Sequence, residues 1–188
     1  MSKSSANASQ RCQWSQRAIL SSMLLSGWWL SPASAVAVGI PKVGLSAEHK
    51  QLCKVGVADA LPTLTTDGKA VPFVSPPQRV ATVLAFVGHD GWMSRQLLKD
   101  LGPDVTKKFG GKGVEVIATF VSRQPPKNLK FKTQTDPQGK RFALLGSGGL
   151  PRVYILDSKG KIVWFDIEYS ATTRREIRQT LQVLTGGK

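Results

Sequence analysis

The chain has 188 residues, with 26 lysines and arginines against 12 aspartates and glutamates and a formal charge of +14. That length makes one domain with an N-terminal extension the default and is ample for one hydrophobic core. Cys12 and Cys53 are its two cysteines, too few for a disulfide-stapled scaffold.

Taken in order, the chain opens with a polar, basic stretch to Gln16 that has no acidic residue. Ala18 to Leu30 (AILSSMLLSGWWL) is apolar, and Ala33-Ser34-Ala35 supplies small residues at a cleavage site. This pattern predicts a secretory signal peptide over residues 1–35, cut after Ala35 or Ala37. The apolar stretch is shorter than the roughly 18 residues a membrane span needs. Val36-Ala37-Val38 would extend it in the alternative of an uncleaved N-terminal anchor. The expected destination is the periplasm or the exterior, with no transmembrane span in the mature chain. Loss of Lys3, Arg11 and Arg17 leaves 23 basic and 12 acidic residues, a charge of +11. Such a charge favours anionic surfaces such as lipid head groups or cell-wall polymers, above all near Lys127–Arg141. The lysines are scattered, so no specific nucleic-acid site is expected.

Residues 36–54 form a lead-in segment. Ser46 is placed to cap a short helix reaching Leu52, on which His49 and Cys53 would share a face. Two such ligands without a third or fourth do not make a metal site. Neither metal nor cofactor is therefore expected.

Residues 55–188 are the domain proper. Thr63 to Val71 predicts an N-terminal hairpin with Asp67-Gly68 in its turn. Val83 to Val87 is a short apolar run typical of a buried central strand. Gly88-His89-Asp90-Gly91 breaks it. A helix is predicted from Trp92 to about Phe109, open to a break at Gly102-Pro103. Val114 to Phe120 is a second buried strand. Strand, helix, strand at this spacing implies a right-handed parallel crossover. Asn128 to Thr133 alternates like an edge strand with lysines on one face. A turn at Asp136–Gly139, a short helix over Lys140–Leu145, strands over Val153–Asp157 and Lys161–Asp166, and a helix over Thr172–Leu184 capped by Thr172 or Thr173 complete the pattern. The class is α/β, a central mixed sheet flanked by helices.

Two blocks resemble the thioredoxin-like proteins, in particular the secreted TlpA/ResA-type redoxins that exchange thiols and disulfides. One is Val83–Leu101, where Phe86 matches the Phe of the family's Phe-Trp-Ala-x-Trp-Cys-x-x-Cys-Arg segment and Arg95 its Arg. The other is Leu150-Pro151 through Gly160, which looks like the cis-proline loop and following hairpin. The resemblance implies a thioredoxin-like fold, a cis Leu150–Pro151 bond beside the active-site loop, and a peptide groove along it. It also shows a departure. Gly91-Trp92-Met93-Ser94 stands where the family has Cys-x-x-Cys.

Disulfide exchange needs a thiolate at the helix N-terminus and a second thiol to resolve the mixed disulfide. Gly91 has no side chain, and a serine hydroxyl stays protonated unless a base activates it. His89 is the nearest candidate base for Ser94, without an orienting third group. The expected function is a secreted, redox-inactive domain that binds an unidentified protein or peptide, with Trp92, Met93, Leu150 and Pro151 as its contact surface. The alternative is an enzyme, an atypical thiol oxidoreductase or peroxidase using Cys53.

Overall fold

The computed structural model describes residues 39–186 apart from 67–68, 74–78 and 89–90. The expected signal peptide, Cys12, the hairpin tip and His89 lie outside the described residues.

The chain folds around a five-stranded mixed sheet of order β5-β4-β3-β6-β7. Its strands are β3 (Ala81–Val87), β4 (Val114–Val121), β5 (Lys132–Asp136), β6 (Arg152–Asp157) and β7 (Ile162–Asp166). β3 pairs parallel with β4 and antiparallel with β6, and β4 pairs parallel with β5. Every residue of β3 is buried, as a central strand covered on both faces requires. Val83, Ala85 and Val87 point to one face, against Leu97, Leu101, Ile177 and Leu181. These last four come from α2 (Trp92–Leu101) and α5 (Ala171–Leu184). Leu84 and Phe86 point to the other face, against Tyr154, Leu145 and Phe165. There the cover is α4 (Lys140–Leu145) and the lead-in, through Val43 and Leu45 before α1 (Ala47–Gln51) and Leu52, Cys53 and Val55 after it. β1 (Leu64–Thr66) and β2 (Lys69–Val71) pair antiparallel as a separate hairpin.

The helix predicted from Trp92 to Phe109 keeps its course through Gly102-Pro103 but changes pitch. Gly102–Thr106 is a π turn, in which the Lys107 N–H reaches the Gly102 carbonyl, and α3 (Lys107–Phe109) follows. Pro103 lacks the N–H an α-turn needs there, and a wider turn absorbs the loss.

Three expectations shift. The edge strand is Lys132–Asp136, later than the predicted Asn128–Thr133, because Leu129 and Phe131 pack on the core from a loop instead. Ser170 caps α5, and Thr173 is its reciprocal partner three residues on. Cys53 falls beyond the end of α1, so it does not share a helical face with His49; its thiol donates to the His49 carbonyl at 3.5 Å. Ser46 caps α1 through the His49 N–H at 3.2 Å.

Candidate functional site

β3 ends at Val87, and α2 begins at Trp92 with Gly91 as its N-cap. Gly91 has no side chain to accept from the first-turn N–H groups, and among the described residues no side-chain cap replaces it. Trp92 is 65% exposed. Met93 is half-buried against the α2-side core. Ser94 is buried, and its hydroxyl accepts the Gly88 N–H at 3.3 Å. That contact ties the first turn of α2 to the end of the central strand. Ser94 therefore acts as a local acceptor. A Cβ placed on Gly91 would lie 3.8 Å from Ser94 Oγ, ordinary contact distance, so the loop keeps room for a side chain at position 91.

The Leu150–Pro151 bond is cis, and Pro151 is buried. Leu150 presses against Gly88: a Cβ there would meet Leu150 Cδ1 at 3.1 Å and its Cβ at 3.3 Å. Only a glycine lets the two loops approach so closely without displacement. The structure thus brings the Gly91–Ser94 turn and the Leu150–Pro151 loop to the same end of the sheet through Gly88.

Cys53 is placed elsewhere. It packs among the residues of the α4 face, together with Leu52, Val55 and Phe142, whereas α2 lies on the opposite face. Its backbone bridges Gly146. Cys53 also lines an open hollow of about 370 Å³ with Lys50, Lys54 and Phe165. Burial pushes its thiol pKa up, and the nearby Arg152 guanidinium pulls against that rise without reversing it. His49 faces Glu168 at 3.7 Å. Among the described residues no group of three metal-ligating side chains forms, and no helix is long and apolar enough to cross a membrane.

Arg152, which directly follows Pro151, escaped the sequence reading. Its side chain is fully buried, 0% exposed. It donates through Nη1 to the Leu52 carbonyl at 3.2 Å and through Nη2 to the Ser147 carbonyl. Its guanidinium carbon lies 5.1 Å from the centre of the Phe142 ring. Gly146 is obligatory beside it, since an added Cβ would overlap both the Leu52 carbonyl oxygen and Arg152 Nη1. An arginine at a strand start usually reads as a surface residue, and nothing in the local pattern shows it turned inward.

Neither a family model nor a curated protein matches the chain by sequence. Solved structures do match. The chain is similar to the thiol:disulfide interchange protein DsbE of Chlorobium tepidum, at 19% identity and a TM-score of 0.59 over 70% of this chain and 99% of that one. It is similar to a secreted thiol-disulfide isomerase of Corynebacterium glutamicum, at 16% identity and a TM-score of 0.55 over 79% and 99%. A thioredoxin domain of a Bacteroides vulgatus thiol-disulfide oxidoreductase gives 12% and 0.52 over 70% and 99%. With the strand order, the β3–α2 junction and the cis Leu150–Pro151 loop, these likenesses show that the chain has a thioredoxin-like fold.

Proposed function

We propose that the chain is an exported thioredoxin-like domain that binds an extended polypeptide beside Pro151 and does not exchange disulfides. One observation carries this reading. The helix N-terminus that would activate a thiolate bears Gly91, with no side chain, and Ser94, whose hydroxyl is buried and held by the Gly88 N–H. No nucleophile of useful acidity stands there. What remains is a contact surface. Trp92 is a large exposed aromatic, Met93 a half-buried, adaptable thioether, and Leu150 a half-buried neighbour of Gly88. Exposed aromatic anchors beside a strand end suit the capture of an extended chain. Lys99, exposed on the same helical stripe as Trp92, favours an acidic segment in that partner. Export rests on the basic-then-apolar stretch ahead of Ala35.

An insulin-reduction assay on the mature chain tests the proposal. Turnover no faster than dithiothreitol alone is expected, and turnover like that of an active relative overturns it. The double substitution Gly91→Cys, Ser94→Cys should install exchange, because position 91 has space and its Cβ would face residue 94. The second reading, catalysis by Cys53, has the neighbouring Arg152 in its favour. Against it stand the raised thiol pKa and the placement of Cys53 on the face opposite α2. Any activity abolished by Cys53→Ser would revive it.

A further inference from the structure

Arg152 is a buried cation without an acid. Among the described residues no carboxylate lies within ion-pair distance of it; its hydrogen-bond acceptors are the Leu52 and Ser147 carbonyls. Arg152 Nε and the hydroxyl of Tyr154, which is itself 0% exposed, meet no acceptor in good hydrogen-bond geometry, while the guanidinium lies close enough to the Tyr154 hydroxyl and the Cys53 thiol to act on both. Both residues point from β6 to the same face of the sheet, since they are two apart on one strand. Cys53 lies within the electrostatic reach of both. Burying a charge is costly unless it is paired, and unsatisfied donors at such depth are rare. Two buried donors with capacity to spare, and a positive charge that no described carboxylate offsets, therefore lie near a single thiol, and Cys53 lines a hollow together with Lys50 and Lys54.

We infer that Arg152 and Tyr154 form a receptor for an anionic form of the residue 53 side chain, which makes Cys53 a site of oxidation by hydroperoxides. The chemistry balances in two equal steps. In the first, the Cys53 sulfur attacks the distal oxygen of a hydroperoxide. The attacking species is the thiolate, a minor form because burial raises the Cys53 pKa, so the oxidation is slow and not that of a peroxidase. The S–O bond forms, the O–O bond breaks, and the departing alkoxide takes up the proton the thiol released and leaves as an alcohol. Sulfur is oxidised by two electrons to the sulfenic acid and the peroxide is reduced. A second hydroperoxide takes the sulfenic acid to the sulfinic acid in the same way. The sulfinic acid ionises and presents two oxygens, one for Arg152 Nε and one for the Tyr154 hydroxyl. The reaction is stoichiometric, because the described residues hold no second cysteine to resolve it. Its effect reaches the Pro151 loop, since the same guanidinium holds the Ser147 carbonyl. The inference is independent of peptide binding and of disulfide exchange.

The test compares Cys53→Asp with Cys53→Asn, nearly equal in shape and different in charge. At neutral pH the aspartate variant should melt about 3 °C or more above the asparagine variant. The gap should close as the carboxyl is protonated at acid pH, and it should vanish when both substitutions are made in an Arg152→Met background. An aspartate variant that melts at or below the asparagine one, or a gap indifferent to Arg152, overturns the receptor. If the substituted chains do not fold, the unsubstituted protein decides the question. Treated with graded hydrogen peroxide and followed by peptide mass spectrometry, Cys53 should gain two oxygens while the melting midpoint holds or rises. A midpoint that falls as Cys53 is oxidised, or a Cys53 that stays reduced while the methionines oxidise, overturns the inference.

Discussion

The two faces of one sheet bury charge in opposite ways. On the α2 side, Asp100 and Asp104 are buried yet surrounded by partners. Asp100 accepts from the Tyr169 hydroxyl and from Gln96, each at 2.9 Å, and faces Arg174 at 3.5 Å. Asp104 meets Arg174 Nε, with Lys108 at 3.5 Å and Arg178 at 4.0 Å. This cluster joins α2 and the π turn to α5. On the α4 side, Arg152 is more deeply buried and has carbonyls for partners. The first cluster accounts for itself as a clamp between helices. The second leaves charge uncompensated, and such a residue is kept either for the loops it holds or for an anion it receives.

The difference is sharpest where sterics decide. Gly146→Ala should destabilise by about 3 kcal/mol, because its Cβ would collide with the backbone carbonyl of Leu52 as well as with Arg152. Urea unfolding checks it, and a cost under about 1 kcal/mol would mean that the Arg152 seat is looser than it looks. Next comes the balanced cluster. Tyr169→Phe removes one hydrogen bond to a buried carboxylate, a loss of about 2 kcal/mol. Arg152→Met should cost less than either, within about 1 kcal/mol of the parent. An uncompensated charge leaves with the side chain, and the Leu52 carbonyl keeps the Ser147 N–H at 2.9 Å. If Arg152→Met proved the costliest of the three, the contrast between the clusters would fail.

The pH dependence divides the α2-side cluster within itself. The Arg174 hydrogen bond and nearby cations hold the Asp104 pKa down against the opposing effect of burial. Its stabilising share is therefore present above the ordinary carboxylate pKa of about 3.9 and is lost as pH falls through the lower folded value. Tyr169 is pushed the other way, by burial first and then by its hydrogen bond to Asp100. Its share is full below the unfolded tyrosine pKa of about 10 and drains away as pH rises toward the folded value. Tyr169→Phe should flatten the alkaline limb of a stability–pH curve and leave the acid limb in place. An unchanged alkaline limb would count against the Tyr169–Asp100 bond.

The sheet was legible because buried strands must be apolar. Val83–Val87 and Val114–Phe120 announce themselves by composition, and the structure lengthens each by one or two residues. The edge strand was less legible. An alternating pattern at Asn128–Thr133 is what a strand would show, yet Leu129 and Phe131 reach the core from a loop, and the β4 register falls on Lys132–Asp136. The Gly91–Ser94 turn and the Leu150–Pro151 loop were legible by resemblance, while their meeting through Gly88 is a matter of tertiary approach. Arg152 was invisible for a physical reason. Charge is read as exposure from sequence, and the carbonyls that draw this one inward come from residues 52 and 147, the first of them 100 residues away.

The smallest expected change in stability belongs to the residue with the largest expected change in binding. Trp92 is 65% exposed at the first turn of α2, so Trp92→Ala should shift unfolding by less than about 0.5 kcal/mol. An aromatic anchor at the centre of a peptide contact is worth about 2 kcal/mol or more, roughly a thirtyfold loss of affinity. Titration of the protein with an acidic, extended peptide of low but measurable affinity reads this directly. Raising salt should weaken that binding if Lys99 steers the partner. A substitution that unfolds the domain would place Trp92 in the core, and one that leaves affinity untouched would remove it from the groove. A stable variant that no longer binds would assign the Gly91–Ser94 turn to holding a polypeptide.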